Sequence, residues 1–188
     1  MVNKIMKTSR VTFLIAAAMA WTAPALAQQA GQDAKATYQY AMDAAEAGYD
    51  AAKVRCDAMA GVPHDICVAD ARAARVRIEE EATAASKNTL AAYTQARMRI
   101  ATAFHERDKT RCGTLVGNDR EVCLAQAKAT LVTLQADARA DRKAIEARLD
   151  ANDAKIEAEY RVALQKCDAF AGAVKDGCVS TARTAYGK

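Results

Sequence analysis

The chain has 188 residues, half of them apolar yet only 5% aromatic, and a formal charge of +4. Lys4, Lys7 and Arg10 precede the first acidic residue, so most of that charge sits in the opening segment and the remainder carries about +1. Signs so evenly interspersed give no electrostatic footprint for nucleic acid, which excludes that partner class.

The opening segment reads as a secretory signal peptide, residues 1–27. A basic stretch leads into an apolar run, Val11–Trp21, too short to span a bilayer, and Ala25-Leu26-Ala27 supplies small residues for cleavage. The mature chain then starts at Gln28, keeps all six cysteines, and has no further apolar run of spanning length. Export places those cysteines in an oxidising compartment, taken as the periplasm, where an even count argues for disulfides.

The remaining residues, 28–188, form one helical domain containing three copies of a unit, near 47–75, 103–131 and 158–186. The cysteine pairs Cys56/Cys67, Cys112/Cys123 and Cys167/Cys178 share one spacing. Gly61, Gly117 and Gly172 stand five positions after each first cysteine. A base precedes each first cysteine (Arg55, Arg111, Lys166) and a large apolar residue follows three later (Met59, Leu115, Phe170). Tyr49, His105 and Tyr160 lie seven positions before it. Between units the chain is alanine with Glu, Lys, Arg, Gln and Leu, all helix formers, and no alternating strand pattern occurs.

Glycine suits a left-handed helix end, so each unit reads as helix, tight turn and returning helix, with the cysteines facing each other across the hairpin. Asn118 with Glu121 resembles a capping box, and Pro63 suits a first helical turn. The turns predict helices near 32–60, 63–115, 119–170 and 174–186. The fold class is all-α, an elongated antiparallel bundle or coiled coil of stapled hairpins, with the stapled turns at both ends. A compact alternative breaks the central helices near Asn88 and Asn152, where weak helix formers gather. On the third helix Leu124, Leu131, Ala138 and Ile145 recur every seven residues, then Leu149, Ile156, Ala163 and Phe170 continue four residues out of phase, a stutter.

No catalytic, cofactor or metal residue stands out. The cysteine spacing is wide for zinc and contains no C-x-x-C. His64 and His105 have no nucleophile or orienting group placed with them, and Glu79-Glu80-Glu81 point in different directions on a helix. An alanine-rich seam without tryptophan favours protein contact over the membrane surface.

The units RCDAMAGVPHDICVADAR and KCDAFAGAVKDGCVSTAR resemble those of exported alanine- and lysine-rich helical proteins of Gram-negative bacteria, some labelled TolA-like cell-envelope proteins. A second similarity is to small helical, disulfide-stapled lysozyme-inhibitor-type domains. The resemblance implies a periplasmic setting and transfers no active site. The expected function is a non-enzymatic structural, scaffolding or stress-protective binding protein whose partner is an envelope protein or a second copy. The alternatives are a thiol-based metal or redox buffer, and an inhibitor or chaperone-like binder of an envelope enzyme. Mass spectrometry of the exported chain should find Gln28 at the N-terminus and three bridges, each inside its own unit.

Overall fold

The structure is a computed structural model that describes the backbone from Ala23 and side chains from Gln32. The signal segment falls largely outside the described residues. Five helices are present and, among the described residues, no strand: α1 (Ala23–Asp57), α2 (Val62–Lys87), α3 (Leu90–Cys112), α4 (Gly117–Cys167) and α5 (Gly172–Tyr186). The chain divides into two units, Met1–Thr37 and Tyr38–Lys188. In the first, Thr37 Oγ1 donates to the Asp33 carbonyl at 2.8 Å along α1.

In the second unit helices pack against their neighbours in the chain, α2 on α3, α3 on α4, and α4 on α5. Arg75 of α2 reaches back to Tyr49 of α1, which places those two helices side by side as well. Arg99 bonds Glu80 at 3.1 Å and Arg111 bonds Asp70 at 2.7 Å, so α2 and α3 run antiparallel. Arg97–Asp141 at 2.7 Å and Gln135–Thr102 at 3.3 Å give α3 and α4 the same relation.

The expected continuous helix 63–115 does not form, because the chain reverses at Asn88. Asn88 takes the left-handed conformation (φ 45, ψ 44), which its short polar side chain tolerates, and its N–H donates to the Ala84 carbonyl at 2.8 Å. Thr89 then caps α3, its Oγ1 accepting from the Ala92 N–H at 3.1 Å. The counterpart near Asn152 stays helical. Pairs four apart, Arg142–Glu146, Lys155–Glu159 and Arg161–Glu157, support α4 around it. At 51 residues α4 extends about 76 Å.

This asymmetry relocates the turns. The reversal at Asn88 brings the turns at Gly61 and Gly117 to the same end of the α2–α3 pair, where Asp70 of one hairpin meets Arg111 of the next. The turns therefore do not alternate between ends, as continuous helices would require.

The core is thin. Among the described residues, apart from Leu131 and Thr94, every buried side chain is an alanine or the first cysteine of a pair. Leu131 and Ala138 are buried where α3 lies on α4, and Cys167 where α5 does. Leu131 and Cys167 are about ten turns apart, so α3 and α5 occupy the same side of α4. The stutter marks the handover between them, and its two residues, Ile145 and Leu149, are exposed. Replacing Asn88 by alanine should cost about 1 kcal/mol in a denaturant melt, while Asn88→Gly should be near neutral. Thr89→Ala should cost about 1 kcal/mol through the lost cap.

Candidate functional site

The candidate site is the stapled hairpin, built three times. Cys56–Cys67, Cys112–Cys123 and Cys167–Cys178 are disulfide-bonded with Cα separations of 5.5, 5.6 and 5.6 Å, and no cysteine is free. Each first cysteine is fully buried, and each second is half-buried. Closing a loop of this length contributes about 3 kcal/mol per bridge on the chain-entropy model. Three bridges in a chain with no free thiol indicate an oxidising, non-cytosolic compartment.

The turns are built alike, and differently from the sequence expectation. The outgoing helices stop at or just after the cysteine, and the cysteine carbonyl accepts from the residue three further on: Met59 N–H at 2.8 Å, Leu115 at 3.1 Å, Phe170 at 3.0 Å. The glycines do not terminate these helices; they open the returning ones. Gly61 is the cap residue of α2, while Gly117 and Gly172 are the first residues of α4 and α5. Their φ values, 64, 58 and 56, lie where a Cβ is strained, although nothing crowds the space a Cβ would occupy. The requirement is therefore conformational.

Asn118 falls inside the first turn of α4 rather than at its cap, and none of the three returning helices has a side-chain cap bond. Pro63 sits in the first turn of α2. Asp65 and Asp119 supply negative charge to the first turns of α2 and α4.

The tight turn throws the residue at the third position outward. Met59, Leu115 and Phe170 are 47%, 39% and 49% exposed, so each tip presents one large apolar side chain to solvent. Neighbours extend this surface: Val62 at the first tip, Val116 at the second, Val174 at the third.

Behind the first two tips an open groove runs between the two helices in the same register, and in the third hairpin a groove is lined by Ala158 to Lys166 of α4 and by Tyr186. The basic residue before the first cysteine, Arg55, Arg111 or Lys166, lines all three. The groove of the first hairpin is the largest, about 770 Å³, against about 410 Å³ in the second and 350 Å³ in the third.

Across each hairpin the residue seven before the first cysteine lies in register with the one eight after the second. The Arg75 guanidinium stands over the Tyr49 ring at 5.4 Å, and Tyr160 packs on Tyr186 at 6.0 Å. In the second hairpin the pair is His105 and the buried Leu131, and the buried Nδ1 of His105 has no hydrogen-bond partner. The sequence signals the first member of each pair. It hides the second, because Arg75, Leu131 and Tyr186 share no chemistry, only a register.

Hydrogen bonding to Glu79, with its charge, raises the Arg75 pKa and holds the guanidinium in place. His64 stands between Asp57 and Asp65 at the exposed first tip. Glu79 and Glu80 are tied to Arg75 and Arg99 rather than to each other. Among the described residues, no group of three or more His, Cys, Asp or Glu is placed to hold a metal ion. No described helix is long and apolar enough to cross a membrane.

Comparison with known proteins finds no matching family model, no matching curated protein and no matching solved structure.

The third hairpin closes with Lys188 Nζ on Glu157 at 2.8 Å. The Lys188 bond and charge, with a smaller contribution from Arg161, lower the Glu157 pKa, and Glu157 in turn raises that of Lys188. A lowered carboxylate contributes its stabilisation above its unfolded value and loses it as pH falls through the lowered one. The raised lysine contributes fully below its unfolded value and loses its share as pH rises through the raised one. On acidification to below the ordinary glutamate range, through the lowered Glu157 value, the Tyr186 ring resonances should move toward random-coil positions. In Glu157→Gln they should show no such acid step.

Proposed function

We propose that this chain is a non-enzymatic, exported binding and scaffolding protein of the cell envelope, working in the periplasm. It engages protein partners through its stapled hairpin tips. The observation that supports this most directly is the threefold repetition of an exposed apolar residue at one backbone position. A single exposed side chain of this kind needs no explanation. Met59, Leu115 and Phe170 follow the same cysteine-carbonyl bond in three separate turns, and each leaves a large part of its apolar surface open to solvent.

The physical logic is that of a preorganised surface. A disulfide a few residues from the tip restricts the turn before any partner arrives, so little conformational entropy remains to be lost on binding. The alanine interior permits close helix packing and leaves the larger apolar groups for the surface. Two tips share one end of the α2–α3 pair, which gives a partner two adjacent contacts. A thiol-based metal or redox buffer requires reducible, accessible cysteines, and here each first cysteine is buried in its hairpin.

The test is a triple variant, Met59→Ser, Leu115→Ser and Phe170→Ser, compared with the unaltered chain for proteins retained from periplasmic extract. Circular dichroism and disulfide content should be unchanged, and retention of specific partners should fall about tenfold or more. An identical retained set would overturn the reading.

A further inference from the structure

We infer that the groove of the first hairpin is a docking site for an amphipathic helix of a different protein, one that brings a carboxylate to Arg55. This deepens the binding reading above by naming a second surface and its partner's chemistry.

The groove lies between two antiparallel helices and runs along α2 from Pro63 to Ile78, about 22 Å or four helical turns. Its floor is small, with Ala45, Ala52, Ala71 and Ala74, so the backbone of an incoming helix can come close. Its apolar walls come from Met59, Pro63, Ile66 and Ile78. A length of four turns accepts alkyl side chains spaced three, four and seven residues apart on a guest helix, as in groove-bound helices generally. The guest would complete a three-helix bundle.

Charge selects the kind of helix. Three charged residues line the groove: Arg55, Asp70 and Arg75. Asp70 is engaged by Arg111 at 2.7 Å, and Arg75 by Glu79 at 2.6 Å. Among the described residues Arg55 has no ion-pair partner, so the rim has an uncompensated positive charge. A second copy of this face would bring one more unpaired arginine and no free carboxylate among its lining residues, which disfavours self-pairing here. An acidic guest is complementary.

The other two hairpins show what a less developed groove looks like. Where the first has Ile66, Asp70 and Ala74, the second has Val122, Gln126 and Thr130. The third has Gly177, Thr181 and Ala185 at those positions, none of them lining its groove, which is the smallest of the three. Aliphatic bulk and volume rise together in the first hairpin alone.

The experiment places a photo-crosslinking benzoyl-phenylalanine at Met59 or at Ile66 in the full chain, exported in cells, and sequences the crosslinked fragment. The expected fragment comes from another protein, has helical apolar periodicity and includes an acidic residue. A synthetic peptide of that fragment should bind the purified chain. Ile66→Asp should weaken it about tenfold or more, and Met59→Ser should weaken it while leaving the folded hairpin untouched. Arg55→Glu should weaken it about three- to fivefold, with recovery when the peptide's carboxylate residue is changed to lysine. Crosslinks to a second copy, to lipid or to nothing would overturn the proposal. A fragment without helical periodicity, or a charge exchange without recovery, would overturn it too. A double tip variant, Leu115→Ser with Phe170→Ser, leaves the groove lining intact and separates the two readings: loss of partners there with intact crosslinking at Ile66, or the reverse, assigns the failure to one surface.

Discussion

Each hairpin depends on closure of a short loop by a disulfide whose first sulfur is buried among alanines. Burying an alanine methyl yields on the order of 1 kcal/mol, about half or less of what a leucine or isoleucine side chain gives. A row of helices held mainly by such contacts, each packing against its chain neighbours, approaches the margin at which folding fails. Three bridges at about 3 kcal/mol each supply an amount comparable with the whole net stability of an ordinary domain. The turn geometry follows from the same closure. The outgoing helix ends at the cysteine, its carbonyl closes a tight turn, and glycine re-enters helix at positive φ.

The arrangement of helices rests on a second, smaller device. Asn88 in the left-handed region and Thr89 as a cap convert what would be one long helix into a pair. At Asp150–Asp153 equally weak helix formers produce no break. The difference lies in what a reversal gains. After Asn88, α3 turns back along α2, where Ala73, Ala84, Ala96 and Ala101 are buried. Along α4 the neighbouring ion pairs favour continuing, and α5 arrives to cover the later half of the seam.

Function, on this reading, belongs to what the interior does not use. The tips expose the apolar residues that an alanine core has no room for, and the first groove adds a surface whose charged rim is not satisfied within the molecule. The staples serve both purposes, stabilising the hairpins and presenting a rigid surface. His105 shows the limit of the repeat: its buried nitrogen has no hydrogen-bond partner, whereas the Tyr49 and Tyr160 rings pack on Arg75 and Tyr186.

The repeat, its helical character and the pairing of cysteines were legible from spacing alone, because cysteine separation, glycine and alanine content act locally along the chain. The apolar residues at Met59, Leu115 and Phe170 could be read as a repeated feature, but not as outward-facing. Their direction depends on a three-residue turn that helix propensity places wrongly inside the helix. The register partners Arg75, Leu131 and Tyr186 were invisible, since a shared position across a hairpin leaves no shared chemistry. Tertiary structure alone decided that the chain reverses at Asn88 and not at Asn152, and hence that the first two tips lie together. Both sites gather weak helix formers, and the area buried by folding back at Asn88, set against the ion pairs that keep α4 continuous, distinguishes them.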